Sequence, residues 1–215
     1  PYPTHPIEAK PVAEVLQALG EAPPAHVPDY SIPGVSVEAG KRLVLEGIGS
    51  SKKGKSKGRQ SKHFVCTSCH NVSKEDPDLT EADPQARLLY VQQKGLPFLQ
   101  GSALYGVVNR TSFYNGDYDK KYGDLVIKAR NDLREAIQLC ATECAQGRSL
   151  KDWEMESVLA YLWTIDLKLG DLNLSGKEQE RIDKAMQLKT PDPETANLLK
   201  SHYLQASPAT FETPP

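Results

Sequence analysis

Residues 66–70, Cys-Thr-Ser-Cys-His, constrain the fold more than any other part of the chain. Two cysteines separated by two residues and followed directly by a histidine form the CxxCH pattern, to which haem c is attached covalently. In that pattern both thiols add to the vinyl groups of the haem, and the histidine becomes an axial ligand of the iron. The sequence therefore predicts one covalently attached haem c, held by Cys66, Cys69 and His70.

Two other interpretations of this pattern are a chance pairing and half of a zinc site. A structural zinc site needs four ligands at characteristic spacings. The sequence contains neither a second CxxC nor an HxxxH pair. Haem is therefore favoured over zinc.

Helical periodicity surrounds the motif, with apolar residues recurring three and four positions apart and Gly, Ser or Pro near the ends. We predict helices at 9–20, 36–47, 124–145, 150–169, 175–188 and 193–204, and a helical turn at 85–93. No set of strands is predicted. The expected fold class is mainly α: a class I cytochrome c-like haem domain with helical N- and C-terminal extensions. Trp153, Tyr161 and Trp163 are expected to pack against Gly40 and Val44.

Three segments are predicted along the chain. Residues 1–36 carry eight prolines and form a strap with one short helix. Residues 37–169 form the monohaem domain. Residues 170–215 form a helical extension and a tail.

Composition excludes several classes of function. The 215 residues include 28 acidic and 26 basic side chains, a formal net charge of −2, so nucleic acid is not an expected partner. No apolar run approaches the ~20 residues that span a bilayer, and no transmembrane span is predicted. Haem attachment of this kind takes place in oxidising compartments. Because the opening PYPTHP is no signal peptide, we expect a periplasmic or otherwise extracytoplasmic protein whose export signal has been removed.

The stretch 51–62 is a basic loop with five lysines and one arginine. It is a candidate docking surface for redox partner proteins, or a means of steering a small sulfur anion to the haem; a solvated loop without either role is the alternative. Residues 49–56, GSSKKGKS, also match a phosphate-binding loop. Such a loop must open a helix, and here a polar stretch and the haem motif follow, so no nucleotide is expected.

A second cysteine pair, Cys140 and Cys144, has three competing interpretations. One thiolate could be the distal iron ligand, the two could form a disulfide, or both could be inert. Cβ atoms four residues apart on a helix are about 5–6 Å apart, too far for a disulfide unless the helix end is distorted. If both thiols are inert, a methionine would bind the iron, and the chain offers only Met155 and Met186.

The sequence around this pair resembles the Cys-ligated haem domain of thiosulfate dehydrogenases and Sox-type sulfur-oxidising cytochromes, over roughly residues 37–168. Their I-x-x-C…G-R segment and following EM-x-x-L-x-AY segment align with Ile137, Cys140, Gly147, Arg148, Glu154, Met155, Ala160 and Tyr161, with Val158 in place of the leucine. The resemblance implies that Cys140 is the distal thiolate ligand, with Cys144 as the alternative. A thiolate ligand stabilises ferric iron, so a low-spin, low-potential haem is expected.

The favoured function is that of a monohaem c-type cytochrome that carries single electrons. The alternative is an enzyme, or its haem subunit, that oxidises thiosulfate or a related sulfur anion at the Cys-ligated haem. Arg148 is the expected partner of a haem propionate or an anionic substrate, with ordinary surface charge as the alternative. No catalytic residue is predicted beyond these.

Overall fold

The computed structural model describes residues 7–50, 56–114 and 118–204. The fold of these residues is mainly helical, as predicted. The α-helices are α1 (Val12–Ala18), α2 (Val37–Glu46), α3 (Pro84–Gln93), α4 (Tyr118–Tyr122), α5 (Leu125–Ala129), α6 (Leu133–Leu139), α7 (Asp152–Leu162), α8 (Gly176–Leu188) and α9 (Pro193–Ser201). Two short strands are β1 (Ile48–Ser50) and β2 (Ser56–Arg59). Short 3₁₀ segments span Cys66–Ser68, Val107–Asn109, Trp163–Ile165 and Leu169–Asp171.

The chain divides into two compact units. The cysteine unit comprises Ala25–Lys74 and Pro97–Ile165, and the terminal unit comprises Pro1–Pro24, Glu75–Leu96 and Asp166–Pro215. These units cut across the three segments predicted from the sequence. Residues 25–36 belong with the cysteines, and residues 75–96 belong with the two ends of the chain.

Helices α2 and α7 form the centre of the cysteine unit and cross at Gly40. A Cβ at Gly40 would overlap the backbone carbonyl of Ser157 and contact Tyr161, so only glycine permits this close approach. Val44 and Tyr161 are both buried in the surrounding core, against which Trp163 packs. The expected contact of Tyr161 with Gly40 is therefore found, whereas Trp163 packs against the shared core and Trp153 lies near Gly49 instead.

The ends of α2 follow from its flanking residues. The Ser36 hydroxyl accepts a hydrogen bond from the Ala39 N–H at 3.2 Å, which caps the N-terminus. Gly47 ends the helix in the left-handed conformation with φ of 68°, where side chains are strained.

The helix predicted at 124–145 is not continuous, and this prediction was wrong. The chain turns between α5 and α6, where Asp132 accepts hydrogen bonds from the N–H groups of Arg134 and Glu135. The Arg130 carbonyl accepts a bond of 2.7 Å from the N–H of Phe113. These bonds replace the intrahelical ones, because an Asp cap favours a new helix start over a continued helix.

Strands β1 and β2 pair as an antiparallel hairpin, which the sequence analysis did not predict. Residues 51–55 of the predicted basic loop lie outside the described residues. Where a phosphate-binding loop would begin a helix, Ser56–Arg59 forms a strand instead.

The terminal unit has its own buried residues on α1, α8 and α9. Val12 and Val15, Ile182, and Leu199 are fully inaccessible. Backbone bonds also join its distant segments: the Val12 N–H donates to the Leu167 carbonyl at 2.8 Å, and the Asp192 N–H donates to the Leu19 carbonyl at 2.9 Å. Across the described residues, no helix combines the length and the apolar character that crossing a bilayer requires.

Candidate functional site

The CxxCH motif forms a short 3₁₀ turn that the chain's own backbone closes. The N–H groups of Cys69 and His70 both donate to the Cys66 carbonyl, at 3.2 and 3.0 Å. The Ser68 hydroxyl accepts a bond from the Val65 N–H at 3.1 Å, which ties the start of the turn to its end. Cys66 and Cys69 are both free thiols.

The imidazole of His70 is held in one orientation. Its Nδ1 lies 2.6 Å from the carbonyl oxygen of Ser102, and since a carbonyl can only accept, Nδ1 carries the proton. The lone pair is then on Nε2, which is the arrangement that a histidine ligand of a metal requires. Gly101 backs the ring so closely that a Cβ there would overlap it.

Arg110 in turn holds the segment that supplies this carbonyl. Its guanidinium donates to the Ser102 hydroxyl and to the Ala103 carbonyl, both at 2.9 Å. Sequence reasoning missed Gly101, Ser102 and Arg110. Glycine followed by serine indicates a turn, but nothing in the local pattern says that this turn meets His70.

Cys66, the first cysteine of the motif, is exposed to solvent. Desolvation by the surrounding protein raises the pKa of its thiol to about 11.

The second cysteine pair lies on a π-helical turn, Cys140–Cys144, which we call the cysteine turn. The Ala145 N–H donates to the Cys140 carbonyl at 2.8 Å, five residues back, which is the π-helical pattern. Gln146 follows with φ of 50°, and the Gly147 N–H donates to the Ala141 carbonyl. The predicted helix thus has a distorted end, and both of its cysteines are free thiols.

The two thiols of the cysteine turn differ in pKa. A hydrogen bond from Cys140 is the main reason that the pKa of Cys144 is lowered, to about 5, and the hydroxyls of Tyr122 and Tyr114 act in the same direction. The same hydrogen bond, together with burial, raises the pKa of Cys140. The two sulfurs are therefore hydrogen-bonded to each other, and Cys144 is the more acidic thiol of the pair.

The structure brings the two cysteine pairs together. Charge on Cys66 contributes to the raised pKa of Cys140, and charge on Cys69 contributes to that of Tyr118, whose largest cause is burial. Both electrostatic contributions indicate that the CxxCH motif and the cysteine turn lie near each other in the cysteine unit. Of the two methionines considered as ligands, Met155 is buried on α7 and Met186 belongs to α8 in the terminal unit.

Three tyrosines surround the cysteine turn. The rings of Tyr114 and Tyr118 meet edge-on at 5.2 Å between centroids, and those of Tyr118 and Tyr122 stack at 6.2 Å. The Tyr122 hydroxyl lies 3.5 Å from the Cys144 sulfur, and this bond is the main cause that raises the pKa of Tyr122 to about 12. Sequence reasoning assigned no role to these tyrosines, although their spacing of four residues was a usable signal.

The Arg148 side chain takes part in an ion pair within the protein. Its guanidinium makes two bonds of 2.7 Å to the carboxylate of Glu154, which is fully buried, and a third to the Ser149 carbonyl. Burial alone would raise the pKa of Glu154, but the bonds from Arg148 and the Lys151 N–H outweigh it, and the pKa is lowered. Arg148 therefore serves in an internal ion pair that joins the end of the cysteine turn to α7.

The donor set at this site fits haem better than a free metal ion. In the described ranges, no three or more His, Cys, Asp or Glu side chains stand together as a metal site. Haem iron takes four ligands from the porphyrin and needs only one or two from the protein. If haem c were bound here, Cys66 and Cys69 could attach it and His70 Nε2 could bind its iron.

Compared with known proteins, the chain matches no family model, no curated protein and no solved structure. The argument for its function therefore comes from the CxxCH motif and from the geometry around it.

Proposed function

We propose that the protein is an extracytoplasmic monohaem c-type cytochrome of the class I-like type that carries single electrons. The observation that carries the proposal is the hydrogen bond from His70 Nδ1 to the Ser102 carbonyl, directly beside the CxxCH thiols. It leaves Nε2 as the free donor of a histidine that follows two attachment cysteines.

Each residue of the motif has a defined task in this proposal. Cys66 and Cys69 hold the haem through thioether bonds, and His70 binds the iron through Nε2. Haem c, when bound, supplies reversible one-electron transfer at its iron. Gly101 and Ser102 keep the imidazole in place while the charge at the iron changes.

Cys140 is the proposed distal ligand, with Cys144 as the alternative. The charge of Cys66 contributes to the raised pKa of Cys140, whereas Tyr122, Tyr114 and Lys121 contribute to the lowered pKa of Cys144. A π-helical turn supports this role, because such turns occur frequently at functional sites. Thiolate ligation would make the haem low-spin and would lower its reduction potential.

The α2–α7 crossing at Gly40 supports a class I-like haem domain, in which two helices meet closely at a glycine. A location outside the cytoplasm follows from the chemistry of haem attachment. The predicted docking of redox partners at the basic loop 51–62 remains part of the proposal.

The first test is the attachment itself. The chain is produced in a periplasm with a haem c maturation system, and the haem is counted from the mass of the denatured protein and its pyridine haemochrome spectrum. One haem per chain is expected, and none in a Cys66→Ala, Cys69→Ala double variant. A wild-type chain that carries no covalent haem would overturn the proposal.

The second test concerns the axial ligands. The electron paramagnetic resonance spectrum of the ferric protein is expected to be that of a low-spin haem with imidazole and thiolate ligands. A Met–iron charge-transfer band in the electronic spectrum would contradict thiolate ligation.

A second candidate function, oxidation of a small sulfur anion such as thiosulfate, is favoured by one observation. The hydroxyls of Tyr114 and Tyr122 and the positive charge of Lys121 all act on Cys144. Hydroxyls and ammonium groups are donors that bind oxyanions. If thiosulfate reduces the purified ferric protein with repeated turnover, the function as an enzyme is favoured. If only protein donors reduce it, the function as an electron carrier is favoured.

A further inference from the structure

Gln60 and Ser61, which precede the CxxCH motif by a few residues, bind the cysteine turn directly; we call this pair the latch. The Gln60 side-chain amide donates to the Ala141 carbonyl at 2.9 Å and to the Arg148 carbonyl at 2.8 Å. The Ser61 hydroxyl donates to the Ala145 carbonyl at 2.6 Å, and Ser61 is 3% exposed.

The backbone of Gln60 completes the connection in both directions. Its carbonyl accepts from the Arg148 N–H at 2.8 Å, and its N–H donates to the Gly47 carbonyl at the end of α2 at 2.8 Å. One residue thus joins α2, the strand β2 that ends at Arg59, and the chain that leaves the cysteine turn.

The latch supplies hydrogen-bond donors to carbonyl groups at the end of the π-helical turn. The last carbonyls of a helix lack intrahelical partners, and a buried carbonyl without a partner costs free energy. Ser61 supplies the donor to the Ala145 carbonyl, and Gln60 adds a donor to the Ala141 carbonyl, which also accepts from the Gly147 N–H, and one to the Arg148 carbonyl beyond the turn.

Gly147 shows how closely the two segments meet. A Cβ at Gly147 would overlap both the backbone carbonyl and the side-chain amide of Gln60. The close contact is made at a glycine because any larger residue would separate the turn from the latch.

From this geometry we infer that Gln60 is a positioning residue, which sets how far the distal thiol of the cysteine turn stands from the thiols that attach the haem. Only five residues separate Gln60 from Cys66. The same segment therefore holds the attached edge of the cofactor and the turn that carries its distal ligand. The inference rests on the proposed function, because it concerns the ligand of the haem iron.

Gln60 should therefore affect how readily an added ligand displaces the distal thiolate from the iron. Without the Gln60 amide donors, the cysteine turn loses its bond at Ala141 and the chain that leaves it loses the bond at Arg148, so the thiolate is displaced from the iron more readily. Mutation of a residue that hydrogen-bonds a metal ligand typically changes metal affinity by about 10–100-fold. We therefore expect an added ligand to bind about tenfold more tightly.

The experiment compares imidazole binding to the ferric holoprotein in four forms: wild type, Gln60→Met, Gln60→Glu and Gln92→Met. Methionine keeps the volume of Gln60 and removes its donors, while glutamate keeps the shape and turns an acceptor toward two carbonyls. Gln92→Met is the matched control, since Gln92 is exposed on α3. Titrations are run at a temperature at which thermal melts show all four proteins folded.

Tighter imidazole binding by about tenfold in both Gln60 variants, with the control unchanged, is the expected result, together with altered thiolate g-values before imidazole is added. Wild-type binding and g-values in both Gln60 variants would overturn the inference while leaving the proposed function standing. A wild-type protein without thiolate-ligated haem would instead remove the proposed ligation, and the inference with it.

Discussion

The two sides of the cysteine unit, one around His70 and one around the cysteine turn, are held by different means. On the His70 side, the Ser102 carbonyl accepts a hydrogen bond from Nδ1 and so places the imidazole proton there, and Gly101 packs closely against the ring. On the other side two thiols share hydrogen bonds with each other and with tyrosines. A local motif specifies the proposed first ligand, whereas the proposed second ligand depends on contacts among distant segments.

The sharpest test of this difference is a comparison of Cys140→Ser with Cys144→Ser. Cys140→Ser is expected to abolish the thiolate signature of the ferric haem and to raise its reduction potential, because sulfur donation is lost. Cys144→Ser should keep the signature. The electron paramagnetic resonance spectrum and a potentiometric titration measure both effects, and the opposite pattern would make Cys144 the ligand.

The next largest effect is expected from Arg148→Met. The substitution leaves the buried carboxylate of Glu154 without its charged partner, so the free energy of unfolding should fall by about 3 kcal/mol. Arg42→Met is the matched control, because the Arg42–Glu46 pair is exposed and its loss should cost under ~0.5 kcal/mol. Denaturant unfolding measures both, and equal losses would show that the Arg148 pair gives no special support to the cysteine turn.

On the His70 side, Gly101→Ala should displace the imidazole. A Cβ there overlaps the ring, and such overpacking typically costs about 1–3 kcal/mol. We expect a shifted low-spin spectrum as well as reduced stability. Gly176→Ala is the control, since no described atom lies within 4 Å of the added Cβ; an unchanged Gly101→Ala spectrum would mean that the ring has room to adjust.

Tyr122→Phe should have a smaller effect, confined to the thiol side. It removes one hydroxyl from the Cys144 sulfur, and a net hydrogen bond is worth about 0.5–1.5 kcal/mol. The reduction potential should change less than in Cys140→Ser, because the hydroxyl is bonded to Cys144 and not to the proposed ligand Cys140. Tyr118→Phe, which removes a hydroxyl from the more exposed neighbouring ring, should change neither stability nor potential by as much.

The smallest effect is expected from mild acid. The pKa of Glu154 is lowered from 4.5 in the folded protein, so its contribution to stability is complete above pH 4.5 and is lost as the pH falls through the folded value. Unfolding by urea at pH 7 and at pH 4 should show a loss that is smaller in Glu154→Gln. An equal pH dependence in both proteins would assign the acid sensitivity to other carboxylates.

The limits of sequence reasoning are visible in particular elements. The ends of α2 at Ser36 and Gly47 and the start of α8 after Ser175 were predictable, because caps are local. The break at Asp132 and the β1–β2 hairpin were not predicted. The helix start at Asp132 competes with an equally plausible continuous helix, and the hairpin strands are only three and four residues long.

Some residues of the candidate site could be identified from the sequence, and others could not. Cys66, Cys69 and His70 stand out because their chemistry depends on adjacent residues. Tyr122 and Gln60 could not be assigned a role, since their partners Cys144 and Ala141 are distant in sequence. Arg148 was found by pattern, but its partner Glu154 emerged only from the packing of α7.

What the sequence determined by itself is the attachment motif, the mainly helical class and the helix ends that local hydrogen bonds set. What only the tertiary structure decided is the meeting of the two cysteine pairs, the π-helical form of the cysteine turn and the latch that holds it. The physical reason is range: capping and covalent attachment act over a few residues, whereas the position of the second thiol pair depends on hydrogen bonds between segments that meet only once the chain is folded.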